Sequence, residues 1–152
     1  MPNLPKVPTF FTALAAFLTA SAAPGFAAGW TAGAERAGLS ADGGETIAFT
    51  CGGTAPGTLR LIFAGFDASL QPNLDYTVVV TVDGTAYRQT TRAVPGSKGR
   101  DLVQALPTGQ LLPLVDALAA GSKAEIASPA GRESLSLKGS GKALKALKAA
   151  CR

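Results

Sequence analysis

The side chains that could do chemistry in this sequence are serines, lysines, carboxylates and two cysteines, because the chain contains no histidine. Without histidine, neither a Ser-His nor a Cys-His nucleophile can be assembled. Ser136 and Lys138 lie two positions apart on a predicted strand, so both would face the same side and could form a Ser-Lys pair. No oxyanion-hole motif accompanies them. We therefore expect no catalytic residue, and a hydrolase with a cryptic Ser-Lys site is kept as an alternative.

Acidic residues could supply the two carboxylates of a glycoside hydrolase, but a catalytic acid needs surroundings that raise its pKa. The candidates all stand beside turns or on predicted solvent faces, without the aromatic surroundings that raise the pKa of a catalytic acid. We expect them to be solvated surface charges. They are Asp67, Asp75, Asp101, Asp116, Glu125 and Glu133.

The glycine-rich stretch Gly139-Ser-Gly-Lys142 resembles part of a phosphate-binding loop. The full motif needs a glycine where Ser136 stands and a serine or threonine where Ala143 stands. A turn followed by a helix N-cap at Ser140 explains the stretch better, so we expect no cofactor site. The lack of histidine and of a Cys-x-x-Cys pair likewise predicts no metal site.

The N-terminus has the organisation of an export signal. Lys6 precedes an apolar run over residues 9–23, which is too short and too rich in alanine to span a bilayer stably. We expect a signal peptide over residues 1–27, cleaved after Ala27, with Ala23 as the second choice. This predicts a periplasmic protein, or alternatively a secreted one, with no transmembrane anchor after processing.

Export makes a disulfide between Cys51 and Cys151 the expected state of the two cysteines, because exported chains meet an oxidising compartment. The bond would close a loop of about 100 residues and contribute up to about 4 to 5 kcal/mol in the chain-entropy model.

The net charge of +4 and the pI near 9.3 come with few aromatic residues. This combination is a poor match to nucleic-acid binding, which needs a strong basic patch and stacking platforms. One exposed pattern remains, a basic stripe on the last predicted helix formed by Lys142, Lys145, Lys148 and Arg152. It is either a docking face for an acidic partner or the solvated side of an amphipathic helix.

Alternating apolar residues predict paired strands. Residues 46–51 and 58–63 should form one hairpin, with Cys51 pointing inward. Residues 76–82 and 85–91 should form another around Asp-Gly, which favours a type I′ turn. That turn pairs Val82 with Thr85, Val80 with Tyr87, Val78 with Gln89 and Val79 with Arg88, and the first set forms the buried face.

After a loop at 95–99, residues 101–106 form a short strand or a helical turn, and their length favours the strand. A helix capped by Thr108 should begin within residues 109–112 and end at Gly121. A third hairpin joins residues 123–128 to 132–137. The last helix should bury Ala143, Leu144, Leu147, Ala150 and Cys151.

These elements predict an α+β fold, either an antiparallel sheet or a small β-sandwich, with two short helices and one closing disulfide. We expect residues 28–45 to form an N-terminal arm, with a short first strand around residues 32–39. Residues 46–152 should form a single disulfide-closed domain.

The order of elements and the closing sequence resemble the VasI-like module, a group of small exported proteins or domains of Gram-negative bacteria, some of them encoded beside type VI secretion systems. The similar features are the strand ending in Cys51, the Asp-Gly hairpin, the helix at residues 107–118, and residues 135–151, where a strand, a glycine and a short Ala-Leu helix end in Cys151. The resemblance covers residues 46–151. It implies a disulfide-closed, non-enzymatic periplasmic module and supplies no catalytic residues.

We therefore expect an exported interaction or accessory protein of a secretion or cell-envelope system, whose partner is another envelope or secreted protein. Besides the hydrolase, the alternative is an inhibitor of periplasmic or secreted enzymes. An inhibitor would present an ordered loop, at residues 52–57 or 94–99.

Overall fold

The computed structural model describes residues 29–41, 44–52, 55–66 and 69–151. The predicted signal peptide (residues 1–27), Asp67 and Arg152 lie outside them. Within the described residues the chain forms nine strands and two helices. They are β1 (Gly29–Ala32), β2 (Arg36–Ala41), β3 (Gly44–Cys51), β4 (Thr58–Phe66), β5 (Asp75–Val82), β6 (Thr85–Gly96), β7 (Gly99–Pro107), α1 (Thr108–Ala120), β8 (Lys123–Ser128), β9 (Gly131–Ser136) and α2 (Ser140–Ala150).

The nine strands form one antiparallel sheet in the order β1-β2-β3-β4-β7-β6-β5-β8-β9. The sheet curls into a half-barrel. Helix α1 packs against β4 and β7, while α2 packs against β1, β2 and β3 and against α1. The α+β class and the antiparallel sheet with two helices are therefore confirmed. A β-sandwich is not confirmed, because the described strands make a single sheet.

The segment predicted as an N-terminal arm contributes two strands to this sheet within its described residues. One strand was expected around residues 32–39, but a turn closed by the Gly33 N–H donating to Arg36 O at 2.7 Å separates β1 from β2. Trp30 on β1 donates its indole N–H to the carbonyl oxygen of Ser136 on β9 at 3.2 Å. The first and last strands of the sheet are thus linked by one side chain.

The first two predicted hairpins are confirmed. Strands β3 and β4 pair with Cys51 opposite Leu59. Strands β5 and β6 meet at Asp83 and Gly84, whose φ angles of 45° and 91° are the positive values that a type I′ turn requires. The register is as predicted, with the pairs Val82–Thr85, Val80–Tyr87, Val78–Gln89 and Val79–Arg88.

The region after β5 and β6 matches the prediction except at one loop. Strand β7 contains the predicted strand at residues 101–106, and the third hairpin forms from β8 and β9. The predicted loop at residues 95–99 is instead a tight turn of Ser97 and Lys98, because β6 continues to Gly96, which pairs with Gly99. The left-handed φ of 131° at Gly99 allows the chain to reverse there.

The core lies between the concave face of the sheet and the two helices. Alternate residues of each strand point into it, as a period of two requires. The third hairpin contributes Ile126, Leu135 and Leu137, as predicted. The largest fully buried side chains are Phe49, Phe63, Ile47, Leu59, Leu61, Leu102, Leu111, Leu114, Leu118, Leu144, Leu147 and Val78.

Both predicted N-caps are wrong. Thr108 is the first residue of α1, which therefore begins before the predicted 109–112, and Pro107 takes the cap position. The Thr108 hydroxyl donates to Gly57 O at 2.9 Å instead. Ser140 is likewise the first residue of α2, and Gly139, with a left-handed φ of 92°, takes the cap position. In both helices the side-chain hydroxyl donates to a carbonyl oxygen outside its own helix. It does not accept a backbone N–H of the helix's first turn, as an N-cap would.

The two helices approach closely at the start of α2. The Ser140 hydroxyl is buried, lies 2.7 Å from Leu118 O and 2.6 Å from Leu137 O, and can donate its proton to either. A Cβ atom on Gly141 would lie 2.8 Å from the carbonyl oxygen of Ala119. The absence of a side chain at this position therefore sets the distance between α1 and α2.

We expect Gly141→Ala to destabilise the protein by about 1 to 3 kcal/mol, because the added methyl group would push α2 away from α1. The free energy of unfolding in urea, measured on the oxidised protein, tests this expectation.

Gly109→Ala is the matched control. Gly109 is also the second residue of a helix, but a Cβ atom there would meet nothing within 4 Å. Its replacement should leave the stability unchanged or raise it by up to about 1 kcal/mol. An equal loss in both variants would contradict the close contact at Gly141.

Candidate functional site

Cys51 and Cys151 form the disulfide that the sequence predicted, with their Cα atoms 5.2 Å apart. Each cysteine also makes a backbone hydrogen bond. Cys51 N–H donates to Glu35 O at 2.8 Å, and Cys151 N–H donates to Leu147 O at 2.9 Å. The bond thus fastens the last turn of α2 to the end of β3.

The basic stripe lies on the outer side of α2, where Lys142, Lys145 and Lys148 are exposed. These three residues belong to the docking face that the sequence predicted as one of two interpretations, and the name docking face refers to them below; Arg152, the fourth predicted member, is outside the described residues. Lys148 Nζ lies 2.5 Å from an Asp116 carboxylate oxygen on α1. Within the described part of the chain, Lys142 and Lys145 make no ion pair, so the docking face keeps two uncompensated positive charges.

A shallow groove of about 440 Å³ runs between α1 and α2 beside the docking face. Its floor is made of small residues, which leave space because they carry at most one carbon beyond the backbone. Lys145 and the ion pair of Lys148 with Asp116 flank this floor. The floor residues are Ala119, Ala120, Gly141 and Ala149.

The sequence predicted the stripe from its spacing but missed both the groove and the partner of Lys148. Asp116 is the only acidic residue on either helix, and a search for acidic residues on the helix preceding the third hairpin could have found it.

Ala150, predicted to be on the apolar side of α2, is exposed. Ala150 is the last residue of α2, and Cys151, which follows it, packs against the core instead.

The other candidate chemical groups remain on the surface. Ser136 and Lys138 are both exposed, and the Ser136 hydroxyl accepts the backbone N–H of Lys138 at 3.4 Å. Every lysine that the structure describes is exposed, so none has the desolvated environment that a Ser-Lys nucleophile needs. Over the same described ranges, no group of cysteine, aspartate and glutamate side chains could hold a metal ion.

Three of the candidate carboxylates form surface ion pairs. Asp116 pairs with Lys148, Glu125 lies 2.7 Å from Arg132, and Asp75 lies 2.9 Å from Arg92. The hydrogen bond and charge of Asp75 raise the pKa of Arg92 above its ordinary value. Pairs of this kind hold surface side chains in place and contribute little to stability.

We expect the double variant Cys51→Ser/Cys151→Ser to lose about 2 to 5 kcal/mol of unfolding free energy, because its unfolded chain is no longer closed into a loop. Urea unfolding measures the loss, and reduced wild-type protein should unfold at the same urea concentration. Thiol labelling of the denatured protein, isolated from cells without reductant, should find no free thiol. Two reactive thiols would show that the disulfide does not form in the cell.

Among the helices that the structure describes, none is long and apolar enough to cross a membrane. The chain matches no protein-family model, no curated protein and no solved structure.

Proposed function

We propose that this chain is an exported, periplasmic, non-enzymatic protein that serves a secretion or cell-envelope system by binding an acidic segment of another envelope or secreted protein. The observation that carries the proposal is the docking face: two uncompensated lysines on a helix that is fastened to the domain at both ends. The sequence resemblance to exported modules and the two paired cysteines support the location.

The fastening of α2 matters because a rigid surface loses little conformational entropy on binding. At its N-terminal end, the buried Ser140 hydroxyl and the close approach of Gly141 hold the helix against α1. At its C-terminal end, the disulfide holds it against β3. Lys142 and Lys145 lie between these two attachments.

The charge distribution favours an acidic partner. Helix α2 carries three lysines and no acidic residue, and α1 carries only Asp116. Carboxylates of a partner could approach Lys142 and Lys145, while its apolar side chains enter the groove between the helices. Such an interface would associate faster at low salt than at high salt, because dissolved ions screen exposed charges.

The test is the recovery of partners from a periplasmic extract by the immobilised protein. We expect Lys142→Glu/Lys145→Glu to weaken capture of the wild-type partner by about tenfold, since two attractive contacts become repulsive. The fold should tolerate this change, because both positions are exposed and Lys142 lies in the first turn of α2, where an acidic residue is favoured.

Arg88→Glu/Lys123→Glu is the matched control. It alters the net charge equally at exposed positions on the sheet, so it should still capture the partner. Equal recovery by the wild-type protein and by Lys142→Glu/Lys145→Glu would rule out the docking face as the binding surface.

The proposed export predicts where the mature chain begins. The intact mass of the protein recovered from the periplasm should correspond to a chain that begins at Ala28, because the signal peptidase favours small residues at Gly25 and Ala27. Recovery of the full-length chain in the cytoplasm would contradict the periplasmic location.

A further inference from the structure

A cavity of about 370 Å³ opens at the end of the half-barrel that lies away from the disulfide. One wall is formed by β3 and β4 and the other by the β8–β9 hairpin, which face each other across the concave side. The main helix contacts with the sheet are made on β1 to β4 and β7, and no residue of either helix lines this cavity. This volume falls at the small end of the range for small-molecule sites.

Irregularities in two neighbouring strands shape one wall of this cavity. On β3, Thr46 is an extra residue, since Ile47 pairs with Leu39 while Glu45 pairs with Ser40. The register of β4 against β7 also shifts between Phe63 and Phe66. Bulges bend a strand and redirect its side chains, and they are over-represented next to functional sites.

The floor of the cavity is apolar. Phe63 and Ile126 are buried core residues beneath it, so the apolar surface open to a ligand is that of Phe66, which is half-buried at the opening, with Ala64 and Ala130 beside it. A ligand with an apolar body would therefore remove hydrocarbon surface from water, which favours binding.

The rim carries two charged residues, of opposite sign. Arg132 is already bound to Glu125 at 2.7 Å. Glu133 is exposed and makes no ion pair within the described residues. It lies opposite Ile126 in the β8–β9 pairing, so its side chain starts from the same concave face as the apolar floor. The charge left to attract a ligand is therefore negative.

We propose that this cavity binds a small amphipathic cation, with its apolar body against Phe66, Ala64 and Ala130 and its ammonium group at the Glu133 carboxylate. The site lies on a different part of the molecule from the docking face and does not depend on it. Its volume admits one ring or a short alkyl chain rather than a folded peptide.

Three ligands with the same alkyl chain separate the contributions of charge and apolar surface: octylammonium, octanol and octanoate. The two ions are kept below their critical micelle concentrations, and octanol is kept below its solubility limit. Titration of the oxidised wild-type protein, followed by amide chemical shifts, should show octylammonium binding most tightly and octanoate most weakly. The shifts should concentrate at residues 63–66 and 126–133.

Glu133→Gln should weaken octylammonium binding about threefold, as expected for a partly exposed ion pair, and leave octanol binding unchanged. Glu35→Gln removes an exposed carboxylate elsewhere and should change neither. Thr46→Leu should weaken binding of both ligands by filling the cavity. Equal binding of octylammonium and octanoate, or shifts confined to other parts of the molecule, would overturn the proposal.

Discussion

An open, curled sheet has one apolar face that must be kept from water, and in this protein two short helices cover it. Helix α2 has 11 residues, a length at which an isolated helix is marginal even with favourable residues. Its stability must therefore come from the contacts of Leu144 and Leu147 with the sheet and from its attachment to β3 by the disulfide. Because α2 also packs against α1, loosening this attachment would affect the whole helical layer.

The strands could be predicted because the residues that specify each strand and turn lie close together in the sequence. Alternation of apolar residues located β3 to β9, and the Asp-Gly pair determined the register of β5 against β6. Strands β1 and β2 were harder to find, because their sequence is rich in glycine and alanine and only Trp30 and Leu39 supply large apolar side chains. Both strands are covered by α2, which lies at the other end of the described chain, so a local sequence window does not contain the contact that buries them.

Both N-cap predictions failed for a related reason. The carbonyl oxygen bound by Thr108 is 51 positions away in the sequence, and Leu118 O, beside Ser140, is 22 positions away. Long-range acceptors of this kind compete with the helix's own first turn and cannot be seen locally. The same limit applies to the candidate site: helical spacing predicted the lysines of the docking face, but the pairing of Asp116 with Lys148, 32 positions away, and the groove between α1 and α2 depend on helices that are distant in sequence.

The bond from Trp30 to Ser136 has a consequence for the edges of the sheet. In a series of nine antiparallel strands the first and the last run in the same direction, so β1 and β9 could close the barrel only as a parallel pair. One indole hydrogen bond spans this seam instead. Since Trp30 is the only tryptophan in the chain, its fluorescence is an intrinsic reporter of the seam, and it can distinguish a local separation of the two edges from unfolding of the core.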